Sequence, residues 1–85
     1  MTLVAARDLA QRQIRVCAIA PGVMDTPILG ILTDEQRLRL GEAVPHPARL
    51  GQPDEFGALA EHIIDNTYLN GETIRLDGAS RLGPR

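Results

Sequence analysis

The sequence predicts an α/β fold built on a parallel sheet, in the order helix, strand, helix, helix, strand. An apolar run without alternation, VCAIA at 16–20, is typical of a strand that helices cover on both faces. Apolar residues recur every three or four positions within 53–66, which indicates an amphipathic helix. A second short strand, 73–77, follows the turn residues Asn70-Gly71. Because helices connect the two strands, the strands should run parallel.

Local signals set the expected boundaries of these elements. Pro21-Gly22 ends the first strand, since proline has no N–H for a ladder. Thr33 and Gln36 fit a capping box, and Pro53 suits a first helical position. One buried stripe is expected on the last helix, formed by Phe56, Leu59, Ala60, Ile63 and Ile64. The expected order is a helix at 1–13, a strand at 14–20, a loop with a short helix at 21–52, a helix at 53–66, a strand at 73–77 and a tail at 78–85.

Composition narrows the class of protein. Eighty-five residues allow one small domain, and a net charge of -2 argues against a nucleic-acid-binding surface. The single cysteine, Cys17, excludes an internal disulfide and fits a reducing compartment. No apolar run is long enough for a membrane span, so we expect a soluble, cytoplasmic protein. Two parallel strands leave edges unpaired, and the fold is therefore expected to be incomplete on its own.

The turn after the first strand is the candidate site. In open α/β sheets, ligands bind just beyond the carboxyl ends of the strands. That rule points to residues 21–27. His46 and His62 are expected to be surface or loop side chains, and the acidic residues lack the spacing of metal ligands, so no metal site is expected.

Several segments, in order, resemble the C-terminal part of the short-chain dehydrogenase/reductase family. Members of this family have a doubly wound, Rossmann-type parallel sheet and use nicotinamide cofactors. The segments at 44–47, 66–71 and 74–79 most resemble its 3-hydroxyacyl-CoA dehydrogenase branch. The segments that carry the family resemblance are Ala6-Arg7-Asp8-Leu9-Ala10 before Ile14-Arg15-Val16, then Ile19-Ala20-Pro21-Gly22 with Thr26, Arg49-Leu50-Gly51-Gln52-Pro53-Asp54-Glu55, and Asn70-Gly71-Glu72-Thr73-Ile74-Arg75-Leu76-Asp77-Gly78.

The resemblance implies roles for particular residues. Pro21, Gly22 and Val23 would line the nicotinamide of NAD, with NADP not excluded, and the Thr26 hydroxyl would hydrogen-bond the cofactor. The reaction implied is interconversion of a secondary alcohol and a ketone, on a 3-hydroxyacyl-CoA-like substrate. Residues 53–77 would serve a homo-oligomer interface. The substrate-binding loop would be 28–50, with apolar contacts from Ile28, Leu29, Ile31 and Leu32.

The family's catalytic residues have no counterpart in this sequence. Its glycine-rich phosphate turn, catalytic serine and Tyr-x-x-x-Lys pair would all lie upstream of Met1, and the chain has no lysine at all. We therefore expect Met1 to be an internal methionine and the isolated chain to be inactive. Two further interpretations remain: a non-catalytic truncated subunit that acts only through oligomer contacts, and a decayed gene remnant with no stable product. Thr26 has an alternative too, in which its hydroxyl only ties down the loop.

Overall fold

The computed structural model describes residues 1–80, so residues 81–85 of the expected tail lie outside the description. The predicted order of helix, strand, two helices and strand is confirmed. Two short 3-10 helices are added to it, one directly after the first helix and one in the loop after the first strand. The elements are α1 (Thr2–Leu9), a 3-10 helix (Ala10–Arg12), β1 (Ala18–Pro21), a second 3-10 helix (Pro27–Ile31), α2 (Asp34–Glu42), α3 (Pro53–Asp65) and β2 (Thr73–Leu76).

The two strands form one parallel sheet, which confirms the α/β class. Ala18 lies opposite Thr73, and Pro21 lies opposite Leu76. The strand expected at 14–20 instead begins at Ala18, because Val16 bonds the loop before β2. The Val16 N–H donates to the Asn70 side-chain oxygen at 2.9 Å, and its carbonyl accepts from the Gly71 N–H at 2.8 Å.

The helix expected at 1–13 is split into two pieces. After Leu9 the chain tightens into the 3-10 helix, and Gln13 then adopts a left-handed conformation, φ 60°. A left-handed residue ends a helix and redirects the chain, here toward β1. The second predicted helix is confirmed at Asp34–Glu42, with its capping box: the Gln36 N–H donates to the Thr33 hydroxyl at 3.1 Å.

The stripe on α3 was expected to be buried, and that prediction is wrong. Phe56 is 37% exposed and Ile64 is 69% exposed. Within residues 1–80 the buried apolar side chains are only Ala6, Val44 and Leu50. A helix needs a sheet or another helix to cover its apolar face. The two described strands offer too little surface to cover α3.

Candidate functional site

Gly22 carries the chain out of β1 along the end of β2. Its N–H donates to the Leu76 carbonyl at 2.9 Å, which continues the strand ladder by one bond. A Cβ placed on Gly22 would stand 2.7 Å from the Cβ of Asp77. Only a glycine lets the backbone approach this closely without a shift of the neighbour. The predicted turn therefore begins at the carboxyl end of both strands.

Gly51 forms backbone hydrogen bonds to the same turn from the loop before α3. Its N–H donates to the Val23 carbonyl at 3.1 Å, and its carbonyl accepts from the Asp25 N–H at 2.7 Å. These two bonds form an isolated parallel bridge between Met24 and Gly51. A Cβ on Gly51 would stand 2.5 Å from the Met24 sulfur. Sequence reasoning missed this contact, because nothing near Gly51 in the sequence indicates a partner as distant as Val23 or Asp25.

Thr26 is the last residue of the turn, and its hydroxyl does not cap the 3-10 helix that follows. Its carbonyl accepts from the Leu29 N–H at 2.9 Å and so starts the 3-10 helix Pro27–Ile31. Within residues 1–80 the Thr26 side chain makes no hydrogen bond. The backbone bonds of Gly22 and Asp25 already fix the turn, so the Thr26 hydroxyl is not needed to tie it down.

Arg49 and Glu55 form a two-pronged ion pair beside the turn. The Arg49 guanidinium donates from Nη1 to Glu55 Oε1 at 2.9 Å and from Nη2 to Oε2 at 2.8 Å. Oε1 also accepts from the Gln52 N–H at 2.8 Å, which caps α3. The hydrogen bonds from Arg49 and then from Gln52 lower the pKa of Glu55 to about 2. The same pairing raises the pKa of Arg49.

A small cavity of about 100 Å³ lies between the turn and the end of β2. Val23 and Met24 line it from the turn, and Asp77 lines it from the residue after β2. The Asp77 side chain is 6% exposed and braces its own turn, since its Oδ1 accepts from the Ala79 N–H at 3.0 Å. Its Oδ2 accepts from Arg75 at 3.1 Å. Asp77 is thus occupied by contacts within the chain.

The four apolar residues expected to contact substrate differ in their exposure. Ile28 and Ile31 point to solvent at 81% and 90% exposure. Leu29 and Leu32 are half-buried. Leu32 lines a groove of about 300 Å³, which is completed by Gln36, Arg39, Leu40 and Ala43 of the α2 region.

The other candidate features in the described part of the chain are a metal site, a membrane-spanning helix and reactive cysteine or histidine side chains. Within residues 1–80 no three His, Cys, Asp or Glu side chains cluster closely enough to hold a metal ion. The helices described there include none with the length and apolar character needed to cross a bilayer. Cys17 is half-buried and unpaired with another cysteine. His62 lies on the surface of α3, 3.2 Å from the Asn66 amide.

Comparison with known proteins agrees with the resemblance found in the sequence. A family model described as Enoyl-(Acyl carrier protein) reductase matches residues 1–79. The bovine 3-hydroxyacyl-CoA dehydrogenase type-2 is 55% identical, and the alignment covers 99% of this chain and 32% of the relative. The ipsdienol dehydrogenase of Ips pini is 40% identical over 89% of this chain and 30% of its own length.

The solved structures include a close match as well. The crystal structure of 3-hydroxyacyl-CoA dehydrogenase type-2 from Mycobacterium avium superposes with a TM-score of 0.90 at 48% identity. That match covers 99% of this chain and 33% of the other. The chain spans about a third of the length of the relatives it matches. By the family match over residues 1–79, this chain belongs to the short-chain dehydrogenase/reductase family, in the group described as Enoyl-(Acyl carrier protein) reductase.

Proposed function

We propose that this chain supplies the nicotinamide-binding turn and a substrate-binding segment to a dehydrogenase that interconverts a secondary alcohol and a ketone. The observation that carries the proposal is the turn 21–26. Backbone bonds fix it at the carboxyl end of the sheet, and they leave the Thr26 hydroxyl free for a ligand. NAD is the proposed cofactor, with NADP as the alternative. The dehydrogenases among its relatives support this chemistry.

The residues present fit the nicotinamide end of such a cofactor. Pro21 and Gly22 form a stiff turn that can pack against a flat ring, and Val23 is half exposed beside them. The Thr26 hydroxyl would give the ring a polar partner and so fix its rotation. When bound, the cofactor supplies the carbon that exchanges hydride with substrate. The protein's part is orientation, which holds the reacting atoms in line.

The proposed substrate is a 3-hydroxyacyl-CoA or a similar apolar alcohol. Two relatives whose names specify this activity are 55% and 49% identical to the chain. Ile28 and Ile31 present apolar surface directly after the turn, and an acyl chain would cover it. To test the proposal, the native protein that carries this sequence is assayed with NAD and 3-hydroxyacyl-CoA substrates. We expect NAD-dependent oxidation; no nicotinamide reduction with any secondary alcohol would refute it.

The isolated 85-residue chain is proposed to be inactive. It contains no lysine, so it cannot provide the tyrosine–lysine pair that the family resemblance implies for proton transfer. The purified chain should reduce NAD in the presence of a secondary alcohol no faster than its Thr26→Ala and Gly22→Val variants. A wild-type rate above both variants would contradict this part of the proposal.

A second candidate function follows from exposed apolar residues of α3 and of the loop after it. Phe56, Ile64 and Tyr68, the last 97% exposed, give residues 53–77 an apolar surface suited to a second subunit. In this alternative the chain is a non-catalytic subunit that only forms oligomers. Sedimentation of the chain alone, and mixed with the intact bovine relative, tests it. A monomer in both samples, or an Ile64→Glu variant that assembles as well as the wild type, would count against it.

We propose that the protein is cytoplasmic, which fits its one unpaired cysteine, Cys17. Fractionation of cells that express it tests the location, and recovery in a membrane or secreted fraction would refute it.

The remaining alternative is a gene remnant without a stable product. A cooperative thermal transition in circular dichroism would rule that alternative out.

A further inference from the structure

We infer that Arg49 and Glu55 act as a clamp that positions the cofactor turn without touching the cofactor. The inference rests on the proposed function of residues 21–26. The clamp is the Arg49–Glu55 ion pair, and it acts through Gly51, which lies between the two in sequence and bonds the turn directly. Arg49 and Glu55 are therefore positioning residues.

One end of the clamp is anchored in α3. Glu55 lies in the first turn of the helix, where its carboxylate accepts both from Arg49 and from the Gln52 N–H. A negative charge is favourable at a helix N-terminus, because the unpaired N–H groups there carry partial positive charge. The Gln52 N–H and the helix N-terminus therefore hold the carboxylate in addition to Arg49.

The other end is anchored in the loop before α3. Arg49 Nη1 donates to the Leu50 carbonyl at 3.1 Å, which bends the guanidinium back over its own backbone. Leu50 is 7% exposed, and a Cβ on Gly41 would stand 2.9 Å from the Arg49 Cα. The backbone at 49–51 is therefore packed from α2 and pinned from α3.

Two hydrogen bonds join the backbone at 49–51 to the turn, so the position of this backbone determines the position of the turn. Gly51 accepts from the Asp25 N–H and donates to the Val23 carbonyl, at 2.7 and 3.1 Å. Val23 itself accepts one of these bonds, and Thr26 directly follows Asp25, so a shift of Gly51 would move both proposed cofactor contacts. The forked guanidinium matters here, because two parallel bonds fix an orientation that one ammonium cannot.

Amide hydrogen exchange of the native protein that carries this sequence, followed by NMR, tests the clamp. The probes are the Asp25 and Gly51 amides, and the Ala18 amide, bonded to Glu72 at 3.0 Å, reports on the sheet. Arg49→Met removes the fork. Glu55→Gln removes the charge but keeps a carbonyl oxygen for the Gln52 N–H. The matched control is Arg39→Met, which breaks the exposed Arg39–Glu35 pair of α2, also at 2.8 Å.

Exchange at Asp25 and Gly51 should quicken about two- to fivefold in either clamp variant, the size expected for a half-exposed ion pair. Ala18 should not change, and Arg39→Met should leave all three amides as in the wild type. The double variant should be no faster than either single one, and Arg49→Lys should restore only part of the protection. Unprotected probes in the wild type, an equal change at Ala18, or additive single effects would overturn the clamp.

A second measurement separates the clamp from the proposed function. In the native protein, Arg49→Met should raise the KM for NAD while kcat changes less, because the variant loosens the turn and leaves the reacting groups in place. If the native protein uses no nicotinamide cofactor, the proposed function fails, and the exchange result still decides whether the clamp holds the turn. If NAD is used and Arg49→Met alters neither exchange nor KM, the clamp fails alone.

Discussion

Gly22 and Asp77, the residues that follow β1 and β2, lie so close together that no side chain fits at Gly22. A Cβ on Gly22 would stand 2.7 Å from the Asp77 Cβ and 2.9 Å from its Cα. Asp77 cannot move aside easily, because its carboxylate is held by Arg75 and by the Ala79 N–H. The turn at residues 21–26 therefore depends on the absence of a side chain at Gly22 and on a braced side chain at Asp77.

Gly22→Ala should destabilise the chain by about 1–3 kcal/mol, the usual cost of overpacking. The added methyl would push the turn off β2 and weaken the Gly22–Leu76 hydrogen bond. Chemical denaturation measures the loss. The control is Gly30→Ala, since a Cβ at Gly30 meets nothing within 4 Å. Equal stability of the two variants would contradict the close contact.

We expect Arg15 to stabilise the folded chain by bonding the C-terminal end of α3 and the loop after it. Its Nη1 donates to the carbonyls of Ile63, Asn66 and Leu69 at 2.9, 3.2 and 3.0 Å. Ile63 lies in the last turn of α3, where a helix leaves its carbonyls unpaired. Arg15→Met should cost about 1–3 kcal/mol in free energy of unfolding, since its bonds are charge-assisted and partly buried.

Arg12→Met is the control for Arg15. Arg12 is exposed and makes no side-chain hydrogen bond within residues 1–80. Denaturation curves of the two variants should separate clearly. A loss of stability in Arg12→Met as large as that in Arg15→Met would show that the charge, and not the bonds to α3, is responsible.

Gly57→Ala should stabilise the chain by up to about 1 kcal/mol. Gly57 lies inside α3, where glycine is a poorer helix former than alanine, and a Cβ there meets nothing within 4 Å. Gly71→Ala should do the opposite, because Gly71 has φ +74° and its Cβ would stand 3.0 Å from the Leu3 side chain. Melting temperatures of the pair test both signs; a Gly57→Ala variant that melts earlier would be contrary to the account.

Because of the Arg49–Glu55 pair, the free energy of unfolding should depend on pH in the acidic range. Glu55 has a folded pKa of about 2, below its ordinary value of 4.5. A depressed carboxyl pKa stabilises the folded state above the ordinary pKa, and that stabilisation is lost as the pH falls toward the folded value. The stability difference between wild type and Glu55→Gln should therefore shrink between about pH 4.5 and pH 2. A difference that stays constant across this range would contradict the pairing.

Local patterns predicted much of the fold. The Thr33–Gln36 capping box placed the start of α2 because both partners lie within four residues. The alternation-free run before Pro21 correctly predicted a parallel strand. The early start predicted for that strand was wrong, because Val16 pairs with Asn70 and Gly71, which are far away in sequence.

Burial and the second side of the site could not be read from local patterns. The stripe with Phe56 and Ile64 has the spacing of a buried face, and spacing does not say whether a covering layer is present. The pairing of Gly51 with the turn depends on a loop of more than twenty residues returning to it. A single glycine in that loop gives no local sign of its distant partner.

The most direct test of the proposed site is the KM for NAD of the native protein, compared between wild type and Thr26→Ala. We expect a higher KM in Thr26→Ala, because the Thr26 hydroxyl, which makes no hydrogen bond to the turn, would hydrogen-bond the cofactor. Arg12→Met, which removes an exposed side chain that makes no hydrogen bond within residues 1–80, should behave as the wild type. An unchanged KM in Thr26→Ala would mean that the Thr26 hydroxyl does not bind the cofactor, and it would contradict the site proposed at residues 21–26.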